Sequence, residues 1–220
     1  MLQKLFSYFV PVNILKKNSA ISKTLEVTWN NGQLVLDSQN TNYSYGSLQR
    51  ILRKGLRYIG FERIQQFNSV LVLGVAAGSV IKTLVDDIKF TGNITGVELD
   101  EQVIAIAKEY FKLDAVPNLE LVIDDAFEFV LKTKQTYDLI IIDIFQDTKM
   151  PNFLFEDFFI KRVNDILNVN GFILFNTMVI TLAQEERNAA YKAKFGGNYS
   201  LRMYPKVEKH NELFTIKKLA

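Results

Sequence analysis

From Ser69 onward, strand-like and helix-like patterns alternate along the chain, and this alternation constrains the fold more than any other feature of the sequence. The strand-like runs are nearly continuous and apolar, as expected of strands that are buried on both faces. They are VLVLGV (Val70–Val75), ITGVEL (Ile94–Leu99), LELVI (Leu119–Ile123), YDLIIIDIF (Tyr137–Phe145) and FILFNTM (Phe172–Met178). Helical patterns lie between or after them, at Ser79–Ile88, Glu101–Phe111, Ala126–Lys134, Phe153–Leu167 and Thr181–Phe195. This order predicts βαβ units and a parallel sheet with helices on both faces.

The chain closes on two strand patterns with no helix between them. Ser200–Val207 and Glu212–Lys218 predict an antiparallel pair around the turn Lys209-His210-Asn211. An ordinary dinucleotide-binding fold would end on another βαβ crossover instead. We therefore predict an α/β fold with a doubly wound, mostly parallel, seven-stranded sheet that ends in an antiparallel hairpin. This architecture resembles the Rossmann-like fold of the adenosylmethionine-dependent methyltransferases.

The first part of the chain has a different pattern. LEVTW and QLVLD alternate around Asn31-Gly32, which is a strong hairpin signal. Ser47–Gly60 then has apolar residues at helical spacing, with Gly60 as a stop. We predict a small N-terminal β-hairpin extension over residues 1–47, followed by the methyltransferase-like α/β domain over residues 48–220.

Composition excludes some classes of function. The 220 residues contain no cysteine and one histidine, so we expect no disulfide framework and no thiolate or histidine-based metal site. The formal net charge of +2 gives no argument for a nucleic-acid or membrane partner. The apolar run Leu5–Val12 is interrupted by Ser7 and Pro11 and is not interpreted as a signal peptide. We expect a cytoplasmic enzyme with a small-molecule partner, and the sequence leaves a homodimer open.

Gly74-Val75-Ala76-Ala77-Gly78 follows the first strand of the sheet. Ligands of open α/β sheets bind beyond the carboxyl ends of the strands, and small residues there let the backbone approach a ligand. The segment lacks the full GxGxxG pattern, because Ala76 and Ser79 replace two glycines. It predicts either a donor-binding loop or a tight strand-to-helix turn with no ligand.

Acidic residues follow the next two strands. Glu98 comes 20 residues after Gly78, near the position where an acid holds ribose hydroxyls in dinucleotide-binding folds. It is either such a ligand or a solvated acid at a strand end. Asp125, which precedes Ala126, could accept a hydrogen bond from an adenine amino group, cap the following helix, or do both.

The ordered set GVAAG…GVELD…DDAFEFV…YDLIIIDIF resembles the spermidine synthases and their relatives, over roughly Leu25–Asn176. The resemblance implies donor contacts at Gly74, Glu98 and Asp125, and a donor that is S-adenosylmethionine or its decarboxylated form. It also implies a catalytic carboxylate at Asp143, which could instead be an acid hydrogen-bonded at a strand end. We assign the donor site to the segments that these matches mark, namely Gly74, Ala76, Ala77, Gly78, Glu98, Asp125 and Ala126.

The departures from that family concern the charged groups that bind amines. Ala77 stands where the GGGDG loop of spermidine synthases has the acid that holds the donor amine. Gln146 stands where the second acid of their acid-x-x-acid-Pro pattern belongs, one residue before Asp147. Their Tyr-His-Glu segment corresponds to Tyr45-Gly46-Ser47. Tyr45, Gln146 and Asp147 are the predicted acceptor contacts.

A site that binds cations without water needs carboxylates to pair with them. Ala77 and Gln146 remove two such charges, so the sequence favours methyl transfer to a small molecule over aminopropyl transfer. Aminopropyl transfer from decarboxylated S-adenosylmethionine, as in spermidine synthases, is the first alternative. A nucleoside-binding module without catalysis is the second.

Overall fold

A computed structural model describes residues 2–38, 42–44, 46–145 and 149–220, which form two β-sheets and the helices around them. The strands are β1 (Val12–Ser19), β2 (Lys23–Asn30), β3 (Gln33–Ser38), β4 (Asn42–Ser44), β5 (Ser69–Leu73), β6 (Asn93–Glu98), β7 (Leu119–Ile123), β8 (Tyr137–Ile142), β9 (Leu167–Met178), β10 (Tyr199–Glu208) and β11 (Asn211–Lys218). The α-helices are α1 (Leu2–Phe6), α2 (Gly46–Ile59), α3 (Phe61–Gln65), α4 (Ser79–Lys82), α5 (Glu101–Phe111), α6 (Ala126–Lys132), α7 (Asp157–Asp165) and α8 (Leu182–Ala193).

The larger sheet has seven strands in the order β10-β11-β9-β8-β5-β6-β7. The strands from β9 to β7 run parallel, and β11 and β10 complete the sheet as antiparallel neighbours. Apolar strands such as β5 and β8 are buried on both faces because helices cover the sheet on each side. The predicted seven-stranded α/β fold with a closing hairpin is confirmed. All five parallel strands therefore bring their carboxyl ends to one edge of the sheet.

Three boundaries differ from the prediction. The expected turn Asn168–Gly171 belongs to β9, which is 12 residues long. The expected helix Phe153–Leu167 is divided by the extended residue Glu156 (φ −81°, ψ 143°) into a 3₁₀ turn and α7. The helix after β5 continues from α4 as a π-helical turn at Thr83–Asp87. Periodicity did not reveal these details, since it specifies an apolar face and not the local hydrogen-bond pattern.

The N-terminal region is larger than a hairpin. The predicted turn is present, with φ of 49° at Asn31 and 76° at Gly32, as a type I′ turn requires. However, β2 and β3 lie inside a four-stranded antiparallel sheet, β1-β2-β3-β4. The inner face of this sheet packs on α5 and on the loop after β5 through one apolar cluster. The cluster contains Leu25, Val27, Leu36, Ala77, Val103, Ile106 and Phe111.

Two sets of polar contacts hold peripheral segments to the larger sheet. Asp100, the N-cap of α5, accepts hydrogen bonds from the hydroxyls of Ser19 and Ser22, which fixes the β1–β2 turn. On the other side, both Arg50 and Lys54 of α2 form ion pairs with Glu208 at the end of β10. Two basic residues of α2 are thus engaged in ion pairs with the closing hairpin. Among the described residues, no helix is long and apolar enough to cross a membrane.

Candidate active site

A cavity of about 600 Å³ opens at the carboxyl edge of the larger sheet. The strand ends around it follow the sheet order, so β9, β8, β5, β6 and β7 each contribute to its wall or to a loop beside it. The β1–β2 turn, the start of α2 and the β10–β11 turn close the other sides. The residues that line it include Gly74, Ala76, Glu98, Asp124, Asp125, Ala126, Asp143, Asn176, Lys209, His210 and Asn211.

Gly74 follows β5, which is the middle one of the five parallel strands, so it lies at the centre of this edge. Its φ is +88°, and a Cβ added to it would lie 2.3 Å from the carbonyl oxygen of Asp143. No side chain fits there without a shift of the backbone, so the loop after β5 and the end of β8 can approach only because residue 74 is glycine. The donor loop and Asp143 are therefore in direct contact.

Glu98 is held by backbone N–H groups. One carboxylate oxygen accepts a hydrogen bond from the amide of Ala76 at 2.9 Å, and the other accepts from those of Leu99 at 2.9 Å and Asp100 at 3.1 Å. Burial raises the pKa of Glu98, and the three backbone bonds oppose that effect. A carboxylate has about four acceptor positions, so the cavity-facing side can still accept from a ribose hydroxyl. The geometry fits a nucleoside ligand.

Asp125 has the capping role that was one of its two expected functions. Its Oδ1 accepts from the backbone N–H of Phe127 at 2.7 Å, at the start of α6. Asp124 in turn accepts from the backbone N–H of Asp125 at 2.9 Å. Both acids and Ala126 line the cavity, so the cap does not remove Asp125 from the wall. The adenine contact stays a prediction.

Asp143 follows β8 directly, and its backbone N–H donates to the carbonyl of Leu73 on β5 at 2.9 Å. Its carboxylate accepts a hydrogen bond of 2.8 Å from the side-chain amide of Asn176 on β9. Burial raises the pKa of Asp143 to about 6, the Asn176 bond lowers it, and the charge of Glu98 raises it. A carboxyl group with this pKa can accept a proton near neutral pH.

The other predicted site residues have different positions. Ala77 is fully buried in the cluster beneath the N-terminal sheet and is not part of the cavity wall. Gly78, with φ of +80°, caps α4 and packs on Leu113, also away from the wall. The sequence grouped them with the donor site because they lie in one loop with Gly74, yet the loop turns them toward the core. Tyr45, Gln146 and Asp147 lie outside the described residues.

The sequence missed some residues that the structure brings to the cavity. Asn176 is a polar residue in the apolar run FILFNTM, and that interruption was a signal. His210 and Asn211 lie in and just after the β10–β11 turn, where the closing hairpin returns to the strand ends. His210 is exposed and lines the cavity at that turn. No local pattern links these residues to Asp143, which lies 33 positions from Asn176.

Comparison with known proteins identifies the family and the fold that this chain resembles. Residues 51–206 match the spermine/spermidine synthase domain family. A polyamine aminopropyltransferase of Buchnera aphidicola subsp. Acyrthosiphon pisum is 32% identical over 146 residues, which cover 62% of this chain and 49% of that protein. A crystal structure of spermidine synthase from Thermotoga maritima has a TM-score of 0.73 at 19% identity, covering 95% of this chain and 73% of that one. Human methyltransferase-like protein 13, solved in complex with SAH, has a TM-score of 0.66 at 20% identity and covers 80% of this chain and 83% of that one.

The family match covers well over half of the 220 residues, so this chain belongs to the spermine/spermidine synthase domain family. The structural neighbours share its fold, and they include both spermidine synthases and methyltransferases. The chain spans about half or less of the length of the curated relatives it matches first. Its reaction and substrates are therefore matters for proposal.

Proposed function

We propose that this chain transfers an aminopropyl group from decarboxylated S-adenosylmethionine to an amine. The observation that carries the proposal is the position of Asp143 on the cavity wall. Its backbone carbonyl lies against Gly74 of the predicted donor loop, and burial raises the pKa of its carboxyl group to about 6. The relatives named as polyamine aminopropyltransferases support the same reaction and favour it over the methyl transfer that the sequence suggested.

In this proposal, one set of cavity residues would bind the donor and another would act on the acceptor. Glu98 would hold the ribose and Asp125 the adenine, which places the sulfonium near Gly74. Asp143 would accept a proton from the attacking nitrogen of the acceptor, so that its lone pair becomes available. The donor supplies a carbon–sulfur bond that breaks as the new carbon–nitrogen bond forms, and the sulfur leaves as the neutral thioether. Alkyl transfer of this kind depends chiefly on holding nucleophile and carbon in line.

Methyl transfer from S-adenosylmethionine is the second candidate, and Ala77 is the observation that favours it. This residue stands where the relatives' motif has an acid, and it is buried in an apolar cluster. No carboxylate from that position can pair with a donor amine. For aminopropyl transfer, another acid in the described cavity must do so, and Asp124 and Asp125 line it.

The two reactions leave different products, which gives a direct test. The protein is incubated with decarboxylated S-adenosylmethionine and putrescine, and separately with S-adenosylmethionine and the same amine. Mass spectrometry then quantifies methylthioadenosine with spermidine, or adenosylhomocysteine with a methylated amine, and Asp143→Asn is the control. We expect methylthioadenosine and spermidine from the first mixture only.

Formation of adenosylhomocysteine alone would transfer the assignment to methyl transfer. Binding of the donors by calorimetry, with no turnover of a panel of small amines, would favour the nucleoside-binding module. A failure to bind either donor at millimolar concentration would overturn the proposal at its first step.

A further inference from the structure

We infer that Asn176 and Asn211 form a two-amide relay that positions the carboxylate of Asp143 for reaction. Asn211 orients the amide of Asn176, and Asn176 orients Asp143. Their assignment as positioning residues for catalysis rests on the proposed function, whereas the relay itself is a property of the fold.

The direction of the relay follows from its hydrogen bonds. Asn176 donates from Nδ2 to Oδ1 of Asp143 at 2.8 Å, and it accepts at its own Oδ1 from Nδ2 of Asn211 at 3.1 Å. An ionised carboxylate only accepts hydrogen bonds, so the amide of Asn176 must turn its NH₂ toward Asp143. Its oxygen then needs a donor on the opposite side, and Asn211 supplies one. Without that donor, only the bond to Asp143 selects between the two amide orientations of Asn176.

Because Asn176 is buried, the loss of a hydrogen bond that orients its amide is destabilising. The side chain of Asn176 is 0% exposed, so water has no easy access to replace a missing partner. Buried polar groups of this kind are stabilised by complete networks and are destabilised when one partner is removed. The relay is therefore a specific arrangement and not one of many equivalent surface contacts.

The closing hairpin places Asn211 at this point. Asn211 is the first residue of β11 and lies opposite Met178 of β9, so it is the diagonal neighbour of Asn176 on the same face. The turn before it is fixed by the bond from the backbone N–H of Val179 to the carbonyl of His210, at 2.7 Å. The ion pairs of Glu208 with Arg50 and Lys54 hold the other side of the turn to α2. The hairpin of the last two strands thus supports the side chain of Asp143, which follows β8, although neither strand pairs with β8.

A second polar network on the opposite face of the same strands provides the matched control. Asn188 of α8 donates to the hydroxyl of Thr177 at 2.9 Å and to the carboxylate of Glu212 at 2.8 Å. Thr177 and Glu212 are the chain neighbours of Asn176 and Asn211, and they point away from the cavity because side chains alternate along a strand. Asn188 is buried and uses the same chemistry, but it makes no contact with Asp143.

The test uses Asn176→Leu, Asn211→Leu and Asn188→Leu, which replace each amide by an apolar group of similar size. Aspartate labelled with ¹³C at the carboxyl carbon is titrated by NMR, and the Asp143 signal is identified by its absence in Asp143→Asn. Among the described residues, the other titratable groups on the cavity wall are Glu98, Asp124, Asp125, Lys209 and His210, and all of them are retained in these variants. The acid limb of kcat/KM against pH is measured for the same proteins.

Loss of the Asn176 donor removes a bond that favours the ionised form, so the pKa of Asp143 should rise. We expect a rise of about one to two pH units in Asn176→Leu, from the usual strength of a hydrogen bond to a charged group. Asn211→Leu should give a smaller rise in the same direction, and Asn188→Leu should give none. Asn211→Gln keeps an amide donor, so its Asp143 pKa should stay close to that of the parent. The acid limb of the rate profile should move by the same amount.

The NMR titration does not need turnover, so the relay and the proposed function can fail separately. If the pKa of Asp143 rises as expected but no transfer is detected, the relay is supported and the proposed function is contradicted. If transfer is detected and neither Asn176→Leu nor Asn211→Leu moves the pKa of Asp143 more than Asn188→Leu does, the relay is overturned. Should Asn176→Leu not fold, Asn211→Leu alone decides, because its side chain is only partly buried.

Discussion

The two carboxylates that face each other across Gly74 are held in different ways. Glu98 accepts three hydrogen bonds, all from backbone N–H groups. Asp143 accepts one from a side-chain amide, which is itself oriented by a second side chain. Backbone donors are present in any sequence that adopts this fold, whereas side-chain donors change with a single substitution. In the proposed reaction, donor binding would therefore depend on the fold, and acceptor activation would depend on particular side chains.

The largest expected effect is on turnover, in Asp143→Asn. The substitution keeps the size of the side chain and removes its capacity to accept a proton, so the rate should fall by roughly 10²–10⁴-fold. Donor affinity should stay unchanged, because Glu98 and its backbone partners are intact. Single-turnover kinetics and calorimetry measure the two quantities. A large loss of donor affinity would mean that Asp143 binds the donor, and the contrast between Asp143 and Glu98 would then be wrong.

The same variant should be more stable than the parent at high pH. The pKa of Asp143 is about 6 in the folded protein, above its ordinary value of 3.8, so the folded state binds the proton more tightly than the unfolded state does. Ionised Asp143 therefore destabilises the fold above pH 6, and this cost disappears as the pH falls toward 4. We expect Asp143→Asn to raise the free energy of unfolding at pH 8 by about 1–3 kcal/mol. Water in the cavity screens the charge of Asp143, so we expect the stabilisation to lie below the upper value.

Urea denaturation at pH 8 and pH 4.5 measures this difference. The gain should be present at pH 8 and mostly absent at pH 4.5, where Asp143 of the parent is protonated. An equal change at both pH values would show that the charge of Asp143 carries no such cost.

Glu98→Ala should act on donor binding and leave chemistry at saturating donor near the parental rate. Loss of a hydrogen bond to a charged group usually changes affinity by roughly ten- to a hundredfold. The thermal shift produced by methylthioadenosine or adenosylhomocysteine should fall accordingly, while the ligand-free variant stays folded. Unchanged affinity in a folded variant would remove Glu98 from the site.

The smallest effect is expected in Arg50→Ala, which tests whether the ion pairs between α2 and the end of β10 affect turnover. Its ion pair with Glu208 is largely exposed, and such pairs contribute about 0.2–1 kcal/mol. Turnover should change by a few-fold at most, since Lys54 also contacts Glu208 and Val207. A rate loss comparable to that of Asp143→Asn would mean that the hairpin is held mainly by this pair.

Much of the fold and the position of several residues of the cavity wall could be predicted because their signals are local. Apolar runs such as Tyr137–Ile142 specify buried strands, and their alternation with helices specifies the parallel sheet. Glu98 and Asp125 were found because strand ends meet at one edge, so position in the sequence translates into position in space. Ala77 and Gly78 belong to the predicted donor loop but do not line the described cavity, because motif membership does not tell which way a loop residue points. Their contacts with the donor stay a prediction.

The sequence by itself determined the α/β fold, the closing hairpin and the identity of the residues at the carboxyl edge, since these depend on hydrophobic periodicity and on turn residues read over short windows. Only the tertiary structure decided which polar side chains meet. Asn176 and Asn211 are 35 residues apart, and they meet beside Asp143 because β9 and β11 pair in a register that puts them on one face. Register arises from the packing of a whole sheet and from the turn that joins its strands, and no short stretch of sequence contains that information.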